Sequence, residues 1–483
     1  MLIQVSNLKL SKYMNAVFKK YIVVILVAVT VLWSCSANRN YTRPDLKLPE
    51  NYSAQTTGDS SLALQNWKVF FKDAKLVALI DKALTNNFDY QQALKRVEVY
   101  QSLAKQAKVG WLPALSAQAS ASTVNPSGNS LNGISLSSFL KTNHIEDYSV
   151  SATLSWEIDV WGKIKNRKEA AMADYLQSYE ATRAVQTSVI AAVADAYFTL
   201  QMFDAQLIIA ERNVALSDST TTIMSLQKSA GQVTSLAVQQ AQAQAQTAKL
   251  LRAQLLQSIQ LQENGLRLLL GDYPGTIDRE VYDNALLDSV YATGVPAALL
   301  SLRPDVRASE QALLAANARV GVAQANRYPS LTLSASGGLN AFEASDWFSV
   351  PTSVFGLASG TLLQPIFERR ALRTQYEIAK TQREQSVIAF RQAVTVGVHD
   401  VTNALVKLKG TADQRTFAHD RVNGLETAVS NAQLLFKSGM ADYLEVITAQ
   451  SRALSASIEE SIIIRQQRSA QVELYRALGG GWK

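Results

Sequence analysis

Two hydrophobic patterns of different period run through this chain. In two stretches without proline, residues 163–228 and 369–437, apolar side chains recur every three or four positions, which is the spacing of a coiled-coil seam. At about 1.5 Å per residue, each stretch predicts a helix roughly 100 Å long. The seam residues are Val185, Val189, Val193, Ala196, Leu200, Phe203, Leu207, Ala210 and Val214, then Val387, Phe390, Val394, Val398, Val401 and Leu405.

Four shorter segments alternate with the period of two that is typical of β-strands. In residues 147–160, apolar side chains alternate with serine, threonine and finally acidic residues. Residues 113–124 and 329–337 alternate in the same way, and residues 353–367 form a fourth, less regular candidate. An apolar face opposite a polar face is typical of a barrel strand in an outer membrane. A half-buried strand of a soluble sheet has the same alternation, so that alternative stays open.

Four strands are too few to close a barrel around a lumen. An open sheet edge in lipid leaves backbone N–H and C=O groups unpaired, at a cost of several kcal/mol each. Several copies of the chain must therefore pool their strands, and three copies leave more room for a lumen than two. The polar segments 125–147 and 337–350 predict the longer connecting loops.

The whole pattern occurs twice. Three landmarks of the first half return in the second at offsets of 216, 208 and 208 residues: Pro113 at Pro329, Gly231 at Gly439, and Gly271 at Gly479. We therefore predict two repeats, residues 67–271 and 305–483, joined by an irregular segment at 272–304. Each repeat has a helix, two strands and a long helix pair, and the glycines Gly231 and Gly439 allow the chain to turn back between the paired helices.

Residues 1–34 are typical of a lipoprotein signal peptide. Lys19 and Lys20 precede an apolar run of about 13 residues, too short for the roughly 20 that span a bilayer. The single cysteine, Cys35, follows this run where such a signal is cut, which predicts a covalent lipid on Cys35 and an extended tether at 35–66. A buried free cysteine after an uncleaved segment is the alternative.

Charge and chemistry narrow the class of protein further. The net charge is +7, but residues 1–34 hold four lysines and no acid, so removing them leaves 43 basic and 40 acidic residues, or +3. This near balance gives no electrostatic case for nucleic acid. The three histidines are scattered and have no zinc-ligand spacing, and no nucleophile, phosphate-loop or dinucleotide motif occurs. We therefore expect no metal, no cofactor apart from the lipid, and no enzymatic activity.

Short motifs in a fixed order carry a resemblance to a known family. They are PDLKLPENYS from Pro44, WKVFFKDAKLVALIDKALTNNFDYQQA from Trp67, LSWEIDVWGKI from Leu154, LLLGDYPG from Leu268, LRPDVRASEQALLAANARVGVAQANRYPSL from Leu302, LQPIF from Leu363, YLEVITAQ from Tyr443 and LYRALGGGW from Leu474. Over nearly all of the mature chain, this order resembles the TolC-like outer-membrane efflux proteins, and within them the lipoprotein branch that serves resistance-nodulation-division pumps.

The resemblance implies a mixed α+β membrane protein. Three chains, with four strands each, would form a twelve-stranded β-barrel that continues into a helical coiled-coil tunnel across the periplasm. It also implies a periplasmic adaptor protein, which would contact the tip turns at Gly231 and Gly439, and an inner-membrane pump of the resistance-nodulation-division class.

The resemblance further implies a gate on the helix after Gly439. Leu444, Glu445 and Thr448 match the family's gate positions, although many relatives carry Asp where Thr448 stands. Leu444, Thr448 and Arg452 are spaced four apart and share a helix face. Copies of Glu445 brought together on an axis would repel one another unless a neighbour paired them, and Arg452 is the candidate partner. A solvated surface Glu and Arg are the alternative.

Three functions follow as hypotheses. The first is a passive exit duct for small toxic compounds, in the cell outer membrane and lipid-anchored there. The second is an exit duct for type I protein secretion. The third is a lipid-anchored coiled-coil scaffold without a pore.

Overall fold

The computed structural model describes residues 41–46, 65–280 and 299–482. These residues divide into two compact units. The sheet unit contains residues 41–44, 100–175 and 312–387, and the helical unit contains the other described residues. The units do not coincide with the two sequence repeats, because each unit combines corresponding parts of both.

The helices of the two repeats match in length. The described helices are α1 Trp67–Phe70, α2 Ala74–Asn86, α3 Phe88–Val109, α4 Leu131–Phe139, α5 Lys163–Ser229, α6 Ser235–Leu269, α7 Leu299–Leu302, α8 Pro304–Ala325, α9 Ala371–Lys437 and α10 Tyr443–Ala477. Helices α3 and α8 have 22 residues each, α5 and α9 have 67, and α6 and α10 have 35. The long helices lie where the proline-free stretches predict them. Within the described residues, none of these helices combines the length and apolar character needed to cross a bilayer.

The turns between the paired helices are built alike. Gly231 and Gly439 adopt φ angles of 74° and 75°, a left-handed conformation that glycine reaches without steric strain. In each turn, the residue after the glycine donates its backbone N–H to a carbonyl of the last helical turn, Gln232 to Gln227 and Met440 to Leu435, both at 2.9 Å. This is the Schellman pattern that ends helices.

Every residue of the two predicted seams is buried or partly buried. In the helical unit, Val193 and Leu200 of α5 are fully buried, together with aromatic residues of α1 and α10. The rings of Phe70 and Tyr475 stack at 4.3 Å between centroids. The Tyr197 hydroxyl donates to Asp73 at 2.6 Å, and burial raises the pKa of this tyrosine well above its usual value. The seams thus form the core of the unit.

The described start of the join between the repeats is anchored to the helical unit. Asp272 forms an ion pair with Lys82 of α2. Arg279 pairs with Asp204 of α5, and its Nη1 lies 2.6 Å from Oε1 of Glu263 in α6. These hydrogen bonds hold the Arg279 pKa above its ordinary value. The predicted irregular join therefore docks through charge pairs over its first residues.

The sheet unit holds one antiparallel sheet in the order β1-β2-β3-β4. The strands are β1 Ala114–Val124, β2 Ile145–Ile158, β3 Ser330–Ala341 and β4 Val354–Leu363. The bounds differ from the predicted ones mainly at the loops, because β3 continues four residues into a segment expected to be loop and β4 stops four residues early. The predicted class of fold, long helices with four strands per chain, is confirmed.

A helix inside the first predicted loop was not expected. Helix α4 forms because Ser130 caps it, accepting a hydrogen bond from the Gly133 N–H at 3.1 Å, and because Leu136 is buried. The predicted long connection between β1 and β2 therefore contains a short helix.

Candidate functional site

The sheet has one apolar and one polar face over β1, β2 and β3. Its register places Leu115, Leu154, Ala335 and Ala358 in one continuous row. The row next to it contains Ser116, Thr153, Ser336 and Leu357. Strand β4 does not follow this division, because Leu357 and Phe355 lie on the otherwise polar face. These two residues explain why apolar and polar positions alternate poorly in the β4 sequence.

The apolar face is exposed in the single chain. Leu115 is 74% exposed and Leu362 is 70% exposed. Exposed apolar surface of this extent marks a region that contacts lipid or a partner. The opposite face carries hydroxyl and acidic side chains, among them Thr332 and Glu157, which are direct neighbours in the register.

Aromatic side chains mark both ends of the apolar face. Tyr148 and Trp156 lie eight residues apart on β2, which at about 3.3 Å per residue is roughly 26 Å. We call Tyr148 and its ring neighbour Trp347, at 5.4 Å, the loop-side girdle. The helix-side girdle is Trp156 and Trp111, whose carbonyl accepts from the Trp156 indole N–H at 2.9 Å. Outer-membrane barrels carry an apolar band between such girdles on strands tilted by about 35–45°, and at that tilt this length of strand spans a height of about 20 Å.

Both outer strands of the sheet have a free edge. Within the described residues, β1 pairs only with β2, and β4 pairs only with β3. An exposed strand edge is a template for pairing with another chain. A sheet with a polar face, an apolar band between aromatic ends and two open edges defines a segment of a channel wall.

Among the predicted gate residues near the start of α10, Leu444, Glu445 and Arg452 are exposed and Thr448 is half-buried. Tyr443, Val446 and Gln450 are buried on the inner face, whereas Leu444 is 64% exposed and Glu445 is exposed beside it. Tyr443 packs in the helical unit against a cluster that contains Met224, Val238 and Ala241. Burial raises the pKa of Tyr443 to about 12. This tyrosine therefore fixes the rotation of α10 that turns the predicted gate face outward.

The predicted pairing of Glu445 with Arg452 does not form within the described chain. Both side chains are exposed, and neither has an acidic or basic partner there within 4.0 Å. They lie seven residues apart, a rise of about 10.5 Å along the helix, which separates the two charges. The Thr448 hydroxyl donates its hydrogen bond to the Leu444 carbonyl of the same helix at 2.7 Å.

The two tip glycines face open space. A Cβ atom added at Gly231 or Gly439 would have no heavy atom within 4 Å. Both turns are therefore accessible to a partner in the described chain. The predicted lipidation site, Cys35, lies outside the described residues, as does most of the predicted tether.

A buried arginine at the start of the second repeat was not singled out from the sequence. Arg303 is 7% exposed, and its guanidinium binds Asp305 at 2.6 Å and Asp400 at 3.0 Å, and donates to the Ala477 carbonyl at 3.3 Å. Burial opposes ionisation of Asp305, but the hydrogen bonds from Arg303 outweigh it and lower the Asp305 pKa. Among the described residues, no group of three or more His, Cys, Asp and Glu is arranged to hold a metal ion.

Comparisons with known proteins agree with this geometry. The family model described as outer membrane efflux protein matches residues 79–272 and 295–480. The chain is 29% identical over 458 residues to the cation efflux system protein CusC of Escherichia coli O6:H1, covering 94% of this chain and 97% of that one. It is also 29% identical over 477 residues to the toluene efflux pump outer membrane protein TtgF of Pseudomonas putida, covering 94% and 96%. A crystal structure of CusC matches with a TM-score of 0.83 at 27% identity, covering 92% of this chain and 100% of that one.

The fold and the two-faced sheet define a channel protein of the outer membrane. The family match extends over far more than half of the sequence, so the chain belongs to the outer membrane efflux protein family. It is the outer-membrane channel component of an efflux system, and the predicted class and location are confirmed.

Proposed function

We propose that three copies of the chain close one twelve-stranded barrel. In this homotrimer, β1 of one copy pairs with β4 of the next, so that no strand edge remains open to lipid. The observation that carries the proposal is the free edge on each outer strand, together with polar rows that line up across the sheet. Closure turns those polar rows toward a watery lumen and the apolar band toward lipid.

The proposed cargo is small toxic compounds rather than polypeptide. The relatives are named for cation efflux and toluene efflux, which are small solutes of very different chemistry. The duct is passive and an inner-membrane pump chooses the cargo, so one fold can carry both kinds of solute.

In this proposal a periplasmic adaptor contacts the turns at Gly231 and Gly439, and a lipid on Cys35 adds a second attachment to the membrane. The family is one of channel proteins, and we propose no catalytic step.

The proposed gate is the exposed face at the start of α10. Three copies bring Leu444, Glu445 and Thr448 around the channel axis, where the carboxylates repel one another. Arg452 lies one helical turn beyond Thr448 and is free of acidic partners in the described chain, so it is available to a neighbouring copy.

Single-channel conductance of the purified protein in planar bilayers tests the duct. We expect discrete conductance steps from the trimer, and Glu445→Ala should change the conductance or its block by divalent cations without changing trimer stability. Glu384→Ala is the matched control, because Glu384 is also exposed and has no basic partner in the described chain. A well-folded trimer without conductance would refute the duct, and an unchanged Glu445→Ala channel would remove Glu445 from the gate. Export of proteins, rather than drug or metal sensitivity, lost on gene deletion would favour type I secretion.

A further inference from the structure

The two segments that connect the outer strands of the sheet to the helices expose large apolar side chains. Just before β1, the exposed residues are Val109, Trp111 and Leu112, which we call the β1 entry. Just after β4, Ile366 is 93% exposed and Phe367 is 84% exposed, and we call these two residues the β4 exit. Apolar side chains with this exposure beside an open strand edge mark a surface that another molecule covers.

The sheet holds the entry and the exit apart within one copy of the chain. Strand β1 begins at Ala114, directly after α3, and β4 ends at Leu363, directly before α9, so both segments lie at the helix-side end of the sheet. Strands β2 and β3 lie between β1 and β4. Neighbouring strands are about 4.8 Å apart, which places about 14 Å of sheet between the two segments. Each segment is therefore left without an apolar cover from the other.

Closure of the barrel would bring an exit and an entry together. Strand β1 runs away from the helices and β4 runs back toward them, so β4 of one copy can pair with β1 of the next in the antiparallel direction found throughout the sheet. The chain leaving β4 then lies beside the neighbouring chain that enters β1. Pro113 and Pro365 stand in these two segments and have no backbone N–H to donate to a ladder. Side chains must therefore join the copies beyond the last strand pair.

The backbone after the exit is strained and has little support from its own chain. Arg369 and Arg370 adopt φ angles of 48° and 68°, a left-handed conformation that is unfavourable for residues with a Cβ. Such conformations persist where surrounding contacts hold them. Gln364 anchors the start of the segment through a hydrogen bond to the Arg327 carbonyl at 3.3 Å, but all five side chains of residues 366–370 are exposed. A neighbouring copy packed on this segment would supply the missing contacts.

We propose that the β4 exit of one copy packs against the β1 entry of the next, in an apolar contact that joins the copies where the barrel meets the helices. A second copy fits this surface better than lipid headgroups do, because Ile366 and Phe367 have no N–H or O–H group of the kind that girdle tryptophans offer to that layer. The proposal rests on the barrel closure proposed above. It goes further by assigning the side chains that hold the copies together beyond the strands.

Disulfide trapping tests whether the two segments meet. Leu112→Cys is combined with Ile366→Cys in one variant and with Phe367→Cys in another, and the purified trimer is oxidised and run on a denaturing gel without reductant. We expect covalent dimers and trimers from at least one variant, because a disulfide forms only between residues whose Cα atoms lie within about 7 Å. Each single-cysteine variant is a control that should run as a monomer, which also shows that Cys35 does not react.

Replacing the exit side chains tests what the contact contributes to assembly. Ile366→Ser with Phe367→Ser should lower the temperature at which the trimer dissociates, because two apolar side chains per copy lose their burial. Leu131→Ser with Phe139→Ser is the matched control. These α4 side chains are similarly exposed, at 82% and 87%, but α4 lies in the connection at the opposite end of the sheet. The control should dissociate at the same temperature as the unmodified protein.

Three results would overturn the contact while leaving barrel closure intact. They are an intact trimer that forms no covalent product in either cysteine pair, an unchanged dissociation temperature for the Ile366 and Phe367 variant, and an equal loss in the Leu131 and Phe139 control. The first two together would assign the β4 exit to lipid. Absence of any trimer before oxidation would refute barrel closure itself, and the contact with it.

Discussion

A single arginine placed on either face of β2 tests which face meets lipid. Ala152 lies midway between Tyr148 and Trp156 on the apolar face, and its neighbours across the sheet are Ala117 and Gly337. In Ala152→Arg, a charge would stand at the centre of the apolar band. Arginine at the midplane of a barrel's lipid face costs about 2–4 kcal/mol per chain, or about 6–12 kcal/mol for a trimer.

The adjacent residue provides the matched control. Ser151 lies on the polar face between Gln118 and Gly338, so Ser151→Arg places the same side chain in the lumen. We expect Ser151→Arg to assemble normally and to shift the ion selectivity of the channel toward anions, because it adds three positive charges per trimer.

Two measurements separate these variants. The fraction of heat-resistant trimer recovered from membranes should fall strongly for Ala152→Arg and stay unchanged for Ser151→Arg. The reversal potential in a salt gradient should move only for Ser151→Arg. Normal assembly of Ala152→Arg with failed assembly of Ser151→Arg would mean that the two faces are reversed, and equal behaviour would mean that neither face borders a lumen.

Three other predictions concern the helical unit and the tips. Arg303→Ala should lower the free energy of unfolding by about 3 kcal/mol, near the lower limit for a broken buried ion pair because Asp305 and Asp400 are partly exposed; an unchanged urea midpoint would contradict this. The lowered pKa of Asp305 contributes stability that is present above its ordinary value of about 3.9 and is lost as pH falls further, so Arg303→Ala should flatten the acid limb of a stability–pH curve. Gly231→Ala or Gly439→Ala should cost about 1–2 kcal/mol each through backbone strain alone, since the space for a Cβ is open, and a loss above 3 kcal/mol by thermal unfolding would indicate a hidden contact.

The long helices and three of the strands were predictable because their signals are local. From Val185 to Val214, apolar residues recur with one helical spacing over about eight turns. This spacing predicts a helix without any knowledge of tertiary contacts. Strand β4 was the least regular, since Phe355 and Leu357 break the alternation and only pairing with β3 places them. Helix α4 was missed because its signal is short and depends on the Ser130 cap and on burial of Leu136.

By itself the sequence determined the period of each segment, the doubling of the pattern and the glycines at which the chain reverses. These properties depend on neighbours within a few residues, and side-chain spacing and backbone freedom encode them directly. Only the tertiary structure decided that the polar rows align across β1, β2 and β3, that Tyr443 turns the predicted gate face outward, and that Arg303 holds Asp400 from 97 residues away. Such pairings depend on which distant segments meet, and no local spacing specifies that choice.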